Sequence, residues 1–351
     1  MSVLQLLSGA GPYDAITNQA LAWGRILAAE GIAGEVLAAQ MDPALDGAVG
    51  RIEGLTGRVE SDDLLVIHYS AYAPALERAL ALPARKLLVY HNITPAQYLW
   101  EHEPYVAMLC ALGRERLAAF AGRVDGAVAP SEFSARDLVA AGFADVRVDR
   151  RLYDLDRGRL EPGSEGVAGS GAGPTVVFVG RLSHNKRQDR LVKAFALYQR
   201  AYAPEARLVL PGNPGSGTYG PFLAGLAAEA GARGVELAGG LPQPALNAIY
   251  ASADVFVCLS EHEGFCIPLL EALHFGLPVV ARRAAAVPEV LGDAGVLLDD
   301  PDLATVAEAI DLCVSGSALR AELAARGARR LSEFSADATR DAVLAAVRPL
   351  L

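Results

Sequence analysis

Apolar runs of strand length alternate with alanine-rich helical stretches along most of the chain. In the first half, the runs Val3–Leu7, Leu64–Tyr69 and Leu87–His91 are separated by helical patterns such as Thr17–Glu30. Strands that alternate with helices at this spacing form parallel βαβ units with both faces of the sheet covered. The alternation therefore predicts an α/β protein built on doubly wound parallel sheets.

The alternation is interrupted once and then starts again. Residues 156–174 are rich in Gly and Ser and lack periodicity, which predicts a flexible linker. A chain of 351 residues suits two domains. We expect Rossmann-like domains over 1–155 and 175–335, and a C-terminal helix over 336–351 that crosses back to the first domain. Two such domains facing each other would form one cleft, with ligands at the carboxyl ends of the strands.

Charge and cysteine content exclude several classes of protein. The net charge of −10 and pI of about 5.2 disfavour nucleic-acid binding, because an acidic surface repels a phosphate backbone. The four cysteines form no CxxC motif, so we expect neither a zinc knuckle nor a redox pair, but buried, reduced thiols. The N-terminus lacks a basic region, and no apolar run approaches about 18 residues. These features predict a cytoplasmic protein.

The segment Ser260–Glu289 carries the most informative pattern. It follows the buried run VFVCL, so it begins at the carboxyl end of a strand. Gly264 is expected to allow a tight turn, and Pro268 suits the first position of a helix. The N–H groups at such a helix start form a site for phosphate or sugar oxygens. Glu263 before the turn and Glu271 about one turn into the helix are placed to bind hydroxyl groups of one ligand, although each alone also fits an ordinary surface role.

A second strand–loop–helix junction carries positive charge. In VGRLSHNKRQD, Gly180 opens the turn, and Arg181 and Lys186 share the loop before a helix that begins near Gln188. Lys186 is one of only three lysines in the chain. Two cations on one such loop suit a diphosphate, whose charge they would neutralise.

These two segments together resemble a known enzyme family. Glu263-GFCIPLL-Glu271, followed by Gly276-LPVV, and the upstream GRLSHNK are similar to the hallmark motifs of the family 4 retaining glycosyltransferases, which have the GT-B fold. The resemblance covers about Thr175–Asp299 closely and the N-terminal half more loosely. It extends to bacterial enzymes of the exopolysaccharide and O-antigen mannosyltransferase type.

The resemblance implies a role for each matching residue. Arg181 and Lys186 would hold the donor diphosphate, Glu271 the ribose hydroxyls, and Glu263 the transferred sugar. Backbone N–H groups of Gly264–Ile267 would join Glu263, and the Cys266 thiol would be incidental. The complete set of expected donor-binding residues is Gly9, Gly11, Gly180, Arg181, Lys186, Glu263, Gly264, Phe265, Cys266, Ile267 and Glu271.

The N-terminal half offers fewer candidates. His91 in the HNITP segment ends a predicted strand, and the resemblance places it against the donor sugar, although a lone His is often a structural hydrogen-bonding group. The loop GAGPYDAITN holds Gly9 and Gly11, and its Asp14 and Asn18 are candidates for binding the acceptor. The GG-x-x-x-H form of this loop is absent. Ser131 fits a helix N-cap.

The chemistry of sugar transfer requires that negative charge on the leaving group be stabilised by a metal or by fixed cations. Arg181 and Lys186 would supply that charge, with Glu263 and His91 as the other expected catalytic residues. The motifs Asp154-Leu-Asp156 and Asp300-Pro-Asp302 are not placed for a metal site. We therefore expect no metal and no cofactor, and the general base stays open.

The family resemblance also suggests substrates and a site of action. The resemblance favours GDP-mannose as donor and a glycan or lipid-linked acceptor. Peripheral contact with the cytoplasmic membrane face would involve Arg114, Arg116 and Arg123, which also fit a solvated helix face.

A nucleotide-sugar epimerase of the same fold and a non-catalytic nucleotide-sugar-binding subunit are the alternatives. A dinucleotide oxidoreductase fits less well, because Asp14 stands where G-x-G-x-x-G requires its third Gly. The oligomeric state stays open.

Overall fold

The computed structural model describes residues 1–153, 160, 173–215 and 217–351. Most of the predicted linker at 156–174 and the Asp154-Leu-Asp156 motif lie outside the described residues. The chain divides into two compact units. Unit 1 comprises Met1–Gln97, Tyr105–Asp154 and Phe334–Leu351, and unit 2 comprises Tyr98–Pro104 and Leu155–Glu333.

Unit 1 is built on a seven-stranded parallel sheet of order β3-β2-β1-β4-β5-β6-β7. The central strands β1 and β4 are buried along their whole length, as expected for a sheet covered on both faces. The two-residue edge strands β3 and β7 escaped the sequence analysis because they are too short to show a period. The strands are β1 (Val3–Leu7), β2 (Gly34–Ala38), β3 (Gly50–Arg51), β4 (Leu64–Tyr69), β5 (Arg85–Tyr90), β6 (Gly126–Ala129) and β7 (Arg147–Val148).

The helices of the first half follow the predicted pattern with shifted ends. Helix α1 begins at Ala15 rather than Thr17, because Asp14 caps it. The helical pattern over Tyr105–Ala121 predicts one continuous helix, but the α-helix ends at Arg116, and Leu117–Phe120 continues as a 3-10 turn. The helices are α1 (Ala15–Ala29), α2 (Pro74–Ala79), α3 (Pro104–Arg116) and α4 (Glu132–Ala140).

Unit 2 is built on a six-stranded parallel sheet of order β10-β9-β8-β11-β12-β13. The strand order reverses between β8 and β11, which is the topological switch point where open parallel sheets bind ligands. The strands are β8 (Thr175–Val177), β9 (Arg207–Pro211), β10 (Val235–Gly239), β11 (Val255–Cys258), β12 (Val279–Arg282) and β13 (Val296–Leu298). The helices are α5 (Gln188–Ala201), α6 (Tyr219–Ala230), α7 (Gln243–Ser252), α8 (Ile267–His274), α9 (Val287–Leu291), α10 (Leu303–Ser315) and α11 (Ser317–Ser332).

The last helix, α12 (Ala336–Val347), belongs to unit 1 although it follows all of unit 2 in the chain. Its apolar face, which includes Val343 and Val347, packs in one core cluster with Trp23 and Leu27 of α1. Both halves of the chain thus have the doubly wound α/β architecture predicted from the alternation, and that prediction is confirmed.

Two of the three arginines considered for membrane contact form ion pairs within unit 1. Arg114 Nη1 lies 2.9 Å from Asp137 Oδ2, and Arg116 forms an ion pair with Glu77. These carboxylates neutralise charge that an anionic surface would otherwise attract. No helix in the described part of the chain combines the length and the apolar composition that a bilayer crossing requires.

Candidate active site

The loop after β8 is held close to the loop after β9 in unit 2. The Gly180 N–H donates to the carbonyl of Pro211 over 3.0 Å, and Leu182 N–H donates to the carbonyl of Asn213. A Cβ added at Gly212 would lie 1.9 Å from the Gly180 oxygen. Only glycine fits at Gly212, and this close approach sets the position of the following residue, Arg181.

The same loop ends in a 3-10 turn at His184–Lys186, and α5 begins at Gln188 as predicted. Arg187 makes the transition with a left-handed φ of 53°. Its guanidinium is retained by Asp189 through two hydrogen bonds of 3.0 Å. The turn therefore has its own support and does not depend on Lys186, which extends from its last position.

The loop after β11 is joined to this turn through Asn185. Asn185 Nδ2 donates to the carbonyl of His262 over 3.0 Å, and the N–H of Glu261 donates to the carbonyl of Asn185 over 2.8 Å. The side chain of Asn185 is buried, as is Ser183, whose hydroxyl donates to Asn185 Oδ1. The loops that follow the two strands at the switch point are thus one connected structure.

The turn before α8 differs from the prediction in one detail. Gly264 was expected to provide the unusual backbone conformation, but the left-handed residue is Cys266, with φ 81°, and it is the N-cap of α8. The helix begins at Ile267, so Pro268 occupies the second helical position rather than the first. Cys266 therefore ends the loop directly before the free N–H groups of the first turn of α8. Because Cys266 is not a glycine, its left-handed backbone conformation is strained.

Lys186 and Glu263, predicted to contact different parts of one ligand, lie in direct contact. Lys186 Nζ is 2.5 Å from Glu263 Oε2. Burial opposes the charged ammonium, but the Glu263 carboxylate outweighs it and raises the pKa of Lys186. The second carboxylate oxygen, Glu263 Oε1, is buried and has no hydrogen-bond partner among the described residues. An unpaired buried acceptor is costly, so this oxygen is suited to a donor from a ligand.

Arg181 lies on the same loop and contacts a residue that sequence analysis missed. Its Nη1 is 3.2 Å from Oε1 of Glu103, whose side chain is buried, and its Nη2 is 3.4 Å from Ser183 Oγ. Glu103 belongs to unit 2 through the short segment Tyr98–Pro104. The sequence signal that could have pointed to Glu103 is the dense mixture of aromatic and charged residues in this segment, YLWEHEP.

Glu271 is on α8 and pairs with α7. The Tyr250 hydroxyl donates to Glu271 Oε2 over 2.8 Å. Burial raises the pKa of Glu271, while the hydrogen bond from Tyr250 acts in the opposite direction. The structure therefore places Glu271 as a carboxylate with one oxygen already held by a tyrosine.

Cys266 lies beside a second thiol and the Glu263 carboxylate. The sulfur atoms of Cys258 and Cys266 and a carboxylate oxygen of Glu263, which are atom types that can bind a metal ion, lie within 4.8 Å of one another, and all three residues are buried. Hydrogen bonding with Cys258 and burial raise the pKa of Cys266 well above its ordinary value, so this thiol stays protonated. A protonated thiol beside a carboxylate that is already paired with an ammonium is poorly suited to a cation.

In unit 1, His91 uses both ring nitrogens in a directional chain. Gln5 Nε2 donates to the Ala20 carbonyl over 2.8 Å, so Gln5 Oε1 accepts from His68 Nε2 over 3.0 Å. His68 Nδ1 then accepts from His91 Nε2 over 2.9 Å, and His91 Nδ1 accepts from the Tyr153 hydroxyl over 3.0 Å. Both rings are neutral in this arrangement. Both ring nitrogens of His91 are thus bound to protein groups, and its contact with a donor sugar stays a prediction.

The loop after β1 is organised by its own side chains. Asp14 Oδ2 accepts from the N–H and the hydroxyl of Thr17, both over 2.8 Å, and thereby caps α1. The N–H of Gly11 donates to the Thr17 hydroxyl over 3.2 Å, and Asn18 N–H donates to the Asp14 carbonyl. Gly9 leaves nearly open space where its Cβ would be, with the Gln40 carbonyl 3.9 Å away. Asp14 thus has the capping function, and Ser131 likewise caps α4, accepting from Ser134 N–H.

Comparison with known proteins identifies relatives of this arrangement. Residues 168–330 match the family described as glycosyl transferases group 1. The O-antigen chain mannosyltransferase B of Escherichia coli is 30% identical over 162 residues, which is 46% of this chain and 42% of that protein. The D-inositol 3-phosphate glycosyltransferase of Salinispora arenicola is 33% identical over 250 residues, 65% of this chain and 55% of that protein. The chain thus matches about half the length of these curated relatives.

Solved structures resemble the chain over its whole length. Sucrose-phosphate synthase from Thermosynechococcus elongatus superimposes with a TM-score of 0.78 at 18% identity, covering 100% of this chain and 99% of that one. Anabaena HepE in complex with UDP-glucose gives a TM-score of 0.73 at 16% identity, covering 99% and 100%. At these identities the likeness concerns the fold, and the predicted GT-B class is confirmed.

Proposed function

Because residues 168–330 match the family described as glycosyl transferases group 1, we propose that the chain transfers a hexose from a nucleotide sugar to a hydroxyl of a glycan or lipid-linked acceptor. The reaction proceeds with retention of configuration, without a metal ion, and on the cytoplasmic side. The preferred donor is GDP-mannose. The diphosphate leaving group is stabilised by Arg181 and Lys186.

The observation that carries the proposal is the Lys186–Glu263 pair at the switch point of the unit 2 sheet. Lys186 comes from the loop after β8 and Glu263 from the loop after β11, the two strands between which the order reverses. The ammonium supplies a partly buried positive charge, and Glu263 Oε1, which has no hydrogen-bond partner among the described residues, supplies an acceptor for a hydroxyl group. A ligand that carries both a diphosphate and a sugar hydroxyl satisfies both groups at once.

The chain's own residues support each part of the transfer. When the bond between the sugar carbon and the phosphate oxygen breaks, negative charge grows on the diphosphate, and fixed cations already in place stabilise it without reorganisation. The N-terminus of α8 adds its N–H groups and positive dipole end. The acceptor oxygen bonds to the sugar carbon on the face that the diphosphate leaves, and the acceptor proton passes to the departing phosphate. Glu263 orients the sugar by its hydroxyl.

The choice of donor and acceptor rests on the relatives. One named relative is an O-antigen chain mannosyltransferase and another an inositol-phosphate glycosyltransferase, whereas a structural neighbour was solved with UDP-glucose. We favour mannose because the HNITP segment and the mannosyltransferase match agree. Lipid-linked acceptors would bring the protein to the membrane surface transiently. UDP-sugars are the alternative donors.

Thermal unfolding in EDTA with a panel of nucleotides and nucleotide sugars tests the proposal. Ligands that bind the native state raise the melting temperature. We expect GDP and GDP-mannose to raise it in the wild type and in Lys193→Met, whose lysine is exposed on α5, and to lose the effect in Lys186→Met. A shift with UDP-sugars alone would replace mannose but keep the transferase.

Loss of all nucleotide shifts, or equal shifts in both lysine variants, would refute the site. Product analysis then separates transfer from epimerisation. With the stabilising donor and a set of glycan and polyprenyl-linked acceptors, a transferase releases nucleoside diphosphate in proportion to glycosylated product. An epimerase would instead convert the sugar while no acceptor is consumed.

A further inference from the structure

A short piece of the first half of the chain is part of unit 2. Tyr98–Pro104 belongs to unit 2, although the residues before it, up to Gln97, and after it, from Tyr105, belong to unit 1. The segment lies against the loops after β8, β9 and β11, which carry the candidate active site. We call it the strap, residues 98–104.

The strap is attached to unit 2 at both of its ends. Near its start, the Tyr98 ring meets His262 edge-on, with 6.4 Å between ring centroids. Near its end, the ring of His102 packs on Tyr219 at 5.1 Å, and His102 Nδ1 lies 2.9 Å from the hydroxyl of Thr218. These contacts place the residue that follows His102 over the loop after β9.

Glu103 fits that loop because two glycines leave room for it. A Cβ at Gly215 would lie 2.8 Å from Glu103 Oε1, and a Cβ at Gly217 would lie 2.8 Å from Glu103 Cγ and 2.5 Å from the His102 carbonyl. Gly215 also has a left-handed φ of 66°. Gly215 and Gly217 thus leave room for this carboxylate, whose side chain is 4% exposed.

The carboxylate meets Arg181, the cation assigned to the donor diphosphate. Glu103 Oε1 is 3.2 Å from Arg181 Nη1. A carboxylate and a phosphate each present a pair of oxygens that can accept two N–H bonds from one guanidinium. Two anions on one guanidinium repel each other, so Arg181 cannot hold both at full strength.

We propose that Glu103 is an internal competitor for the diphosphate at Arg181, and that it sets the affinity of the site for nucleoside diphosphates. This inference rests on the proposed function. When the donor binds, its diphosphate takes Arg181 and the Glu103 carboxylate moves off. After transfer, the return of Glu103 to Arg181 favours release of the nucleoside diphosphate. The partly exposed Arg181 makes this competition modest, about three- to tenfold in affinity.

Calorimetric titration of GDP and UDP into full-length variants tests the competition. Glu103→Gln keeps the shape and removes the charge, and Glu101→Gln is the matched control because Glu101 is 74% exposed on the same strap. We expect Glu103→Gln to bind the nucleoside diphosphates about three- to tenfold more tightly than the wild type, with Glu101→Gln unchanged. Unchanged or weaker binding in Glu103→Gln would overturn the proposal, since weaker binding is what a residue that positions Arg181 produces.

Tryptophan fluorescence of the wild-type protein gives a readout that does not depend on that variant. Trp100 lies on the strap and is 51% exposed, whereas Trp23, the other tryptophan of the chain, is fully buried in unit 1. Displacement of Glu103 should change the emission during a GDP titration, and Trp100→Phe should abolish the change. GDP binding without a Trp100 signal would refute displacement. If GDP and UDP fail to bind the wild type, the proposed function itself fails, which is a different result.

Discussion

The stability of unit 1 should fall between pH 7 and pH 5 because two neutral histidines are buried in it. The chain has six histidines, and His68 and His91 are the two in unit 1. Burial lowers the pKa of His68 to about 3. Burial, together with the neighbouring His68, lowers the pKa of His91 well below its ordinary value. Both rings are therefore unprotonated in the folded state at pH 5 and protonated in the unfolded chain.

The sign follows from which state binds more protons. A folded pKa below the unfolded value of about 6.5 gives stability that is fully present above that value and is lost as the pH falls toward the folded pKa. Below about pH 6 each histidine lowers the free energy of unfolding by about 1.4 kcal/mol per pH unit. Between pH 7 and pH 5 the loss is about 2 kcal/mol for each ring and about 4 kcal/mol for both.

Urea unfolding followed by Trp23 fluorescence measures this loss in unit 1. A Trp100→Phe background leaves Trp23 as the reporter, and its ring lies 5.5 Å from that of His68. In this background, His68→Gln should reduce the slope to that of one histidine, about 1.4 kcal/mol per pH unit, while His274→Gln in unit 2 should leave it unchanged. A free energy that is equal at pH 5 and pH 7, or a slope that His68→Gln does not alter, would refute the reasoning.

Three further substitutions test packing in unit 2. Gly212→Ala should lower the free energy of unfolding of unit 2 by about 3 kcal/mol or more, because the added Cβ would overlap the Gly180 carbonyl oxygen. Urea unfolding of unit 2 measures this loss, and an unchanged free energy would contradict the close approach of the two loops. Gly225→Ala on α6 meets open space and should stabilise by about 0.5–1 kcal/mol in the same assay, whereas a loss would reveal a hidden contact. Tyr250→Phe should cost about 1–3 kcal/mol at pH 7 by leaving the Glu271 carboxylate without its donor, a loss that should shrink near pH 4 as that carboxyl becomes protonated.

The fold class followed from the sequence because its cause is local. Alternating strand and helix periods, with buried strands rich in Val and Leu, are consistent with few architectures other than stacked βαβ units. Apolar runs in the sequence, such as Arg207–Leu210 and Val255–Leu259, predict each of the six strands of unit 2, whereas the two-residue edge strands β3 and β7 of unit 1 are too short to be predicted. The start of α5 at Gln188 could likewise be read from its flanking residues.

The candidate site was only half accessible from the sequence. Arg181, Lys186, Glu263 and Glu271 could be named because each lies on the loop or in the first turns of the helix that follows a predicted strand. Lys186 and Glu263 are 77 residues apart in the chain, and they touch because β8 and β11 are neighbours in the sheet. Which backbone residue adopts the left-handed turn, Cys266 rather than Gly264, is also decided by packing around α8 and not by intrinsic preference.

Long-range contacts decided what the individual polar residues do. His91 was expected to end its strand but directly follows β5, which ends at Tyr90. Its ring nitrogens bond to His68 and Tyr153, 23 and 62 residues away, and no local pattern encodes those partners. Glu103 is 78 residues from Arg181 in the chain. It contacts Arg181 because the strap packs in unit 2, although the residues on either side of the strap belong to unit 1. The sequence alone determined the elements and the strand ends that carry charge, because period and turn chemistry act over a few residues. Only the tertiary structure decided which charges meet, because ion pairs and buried hydrogen bonds depend on distances in space.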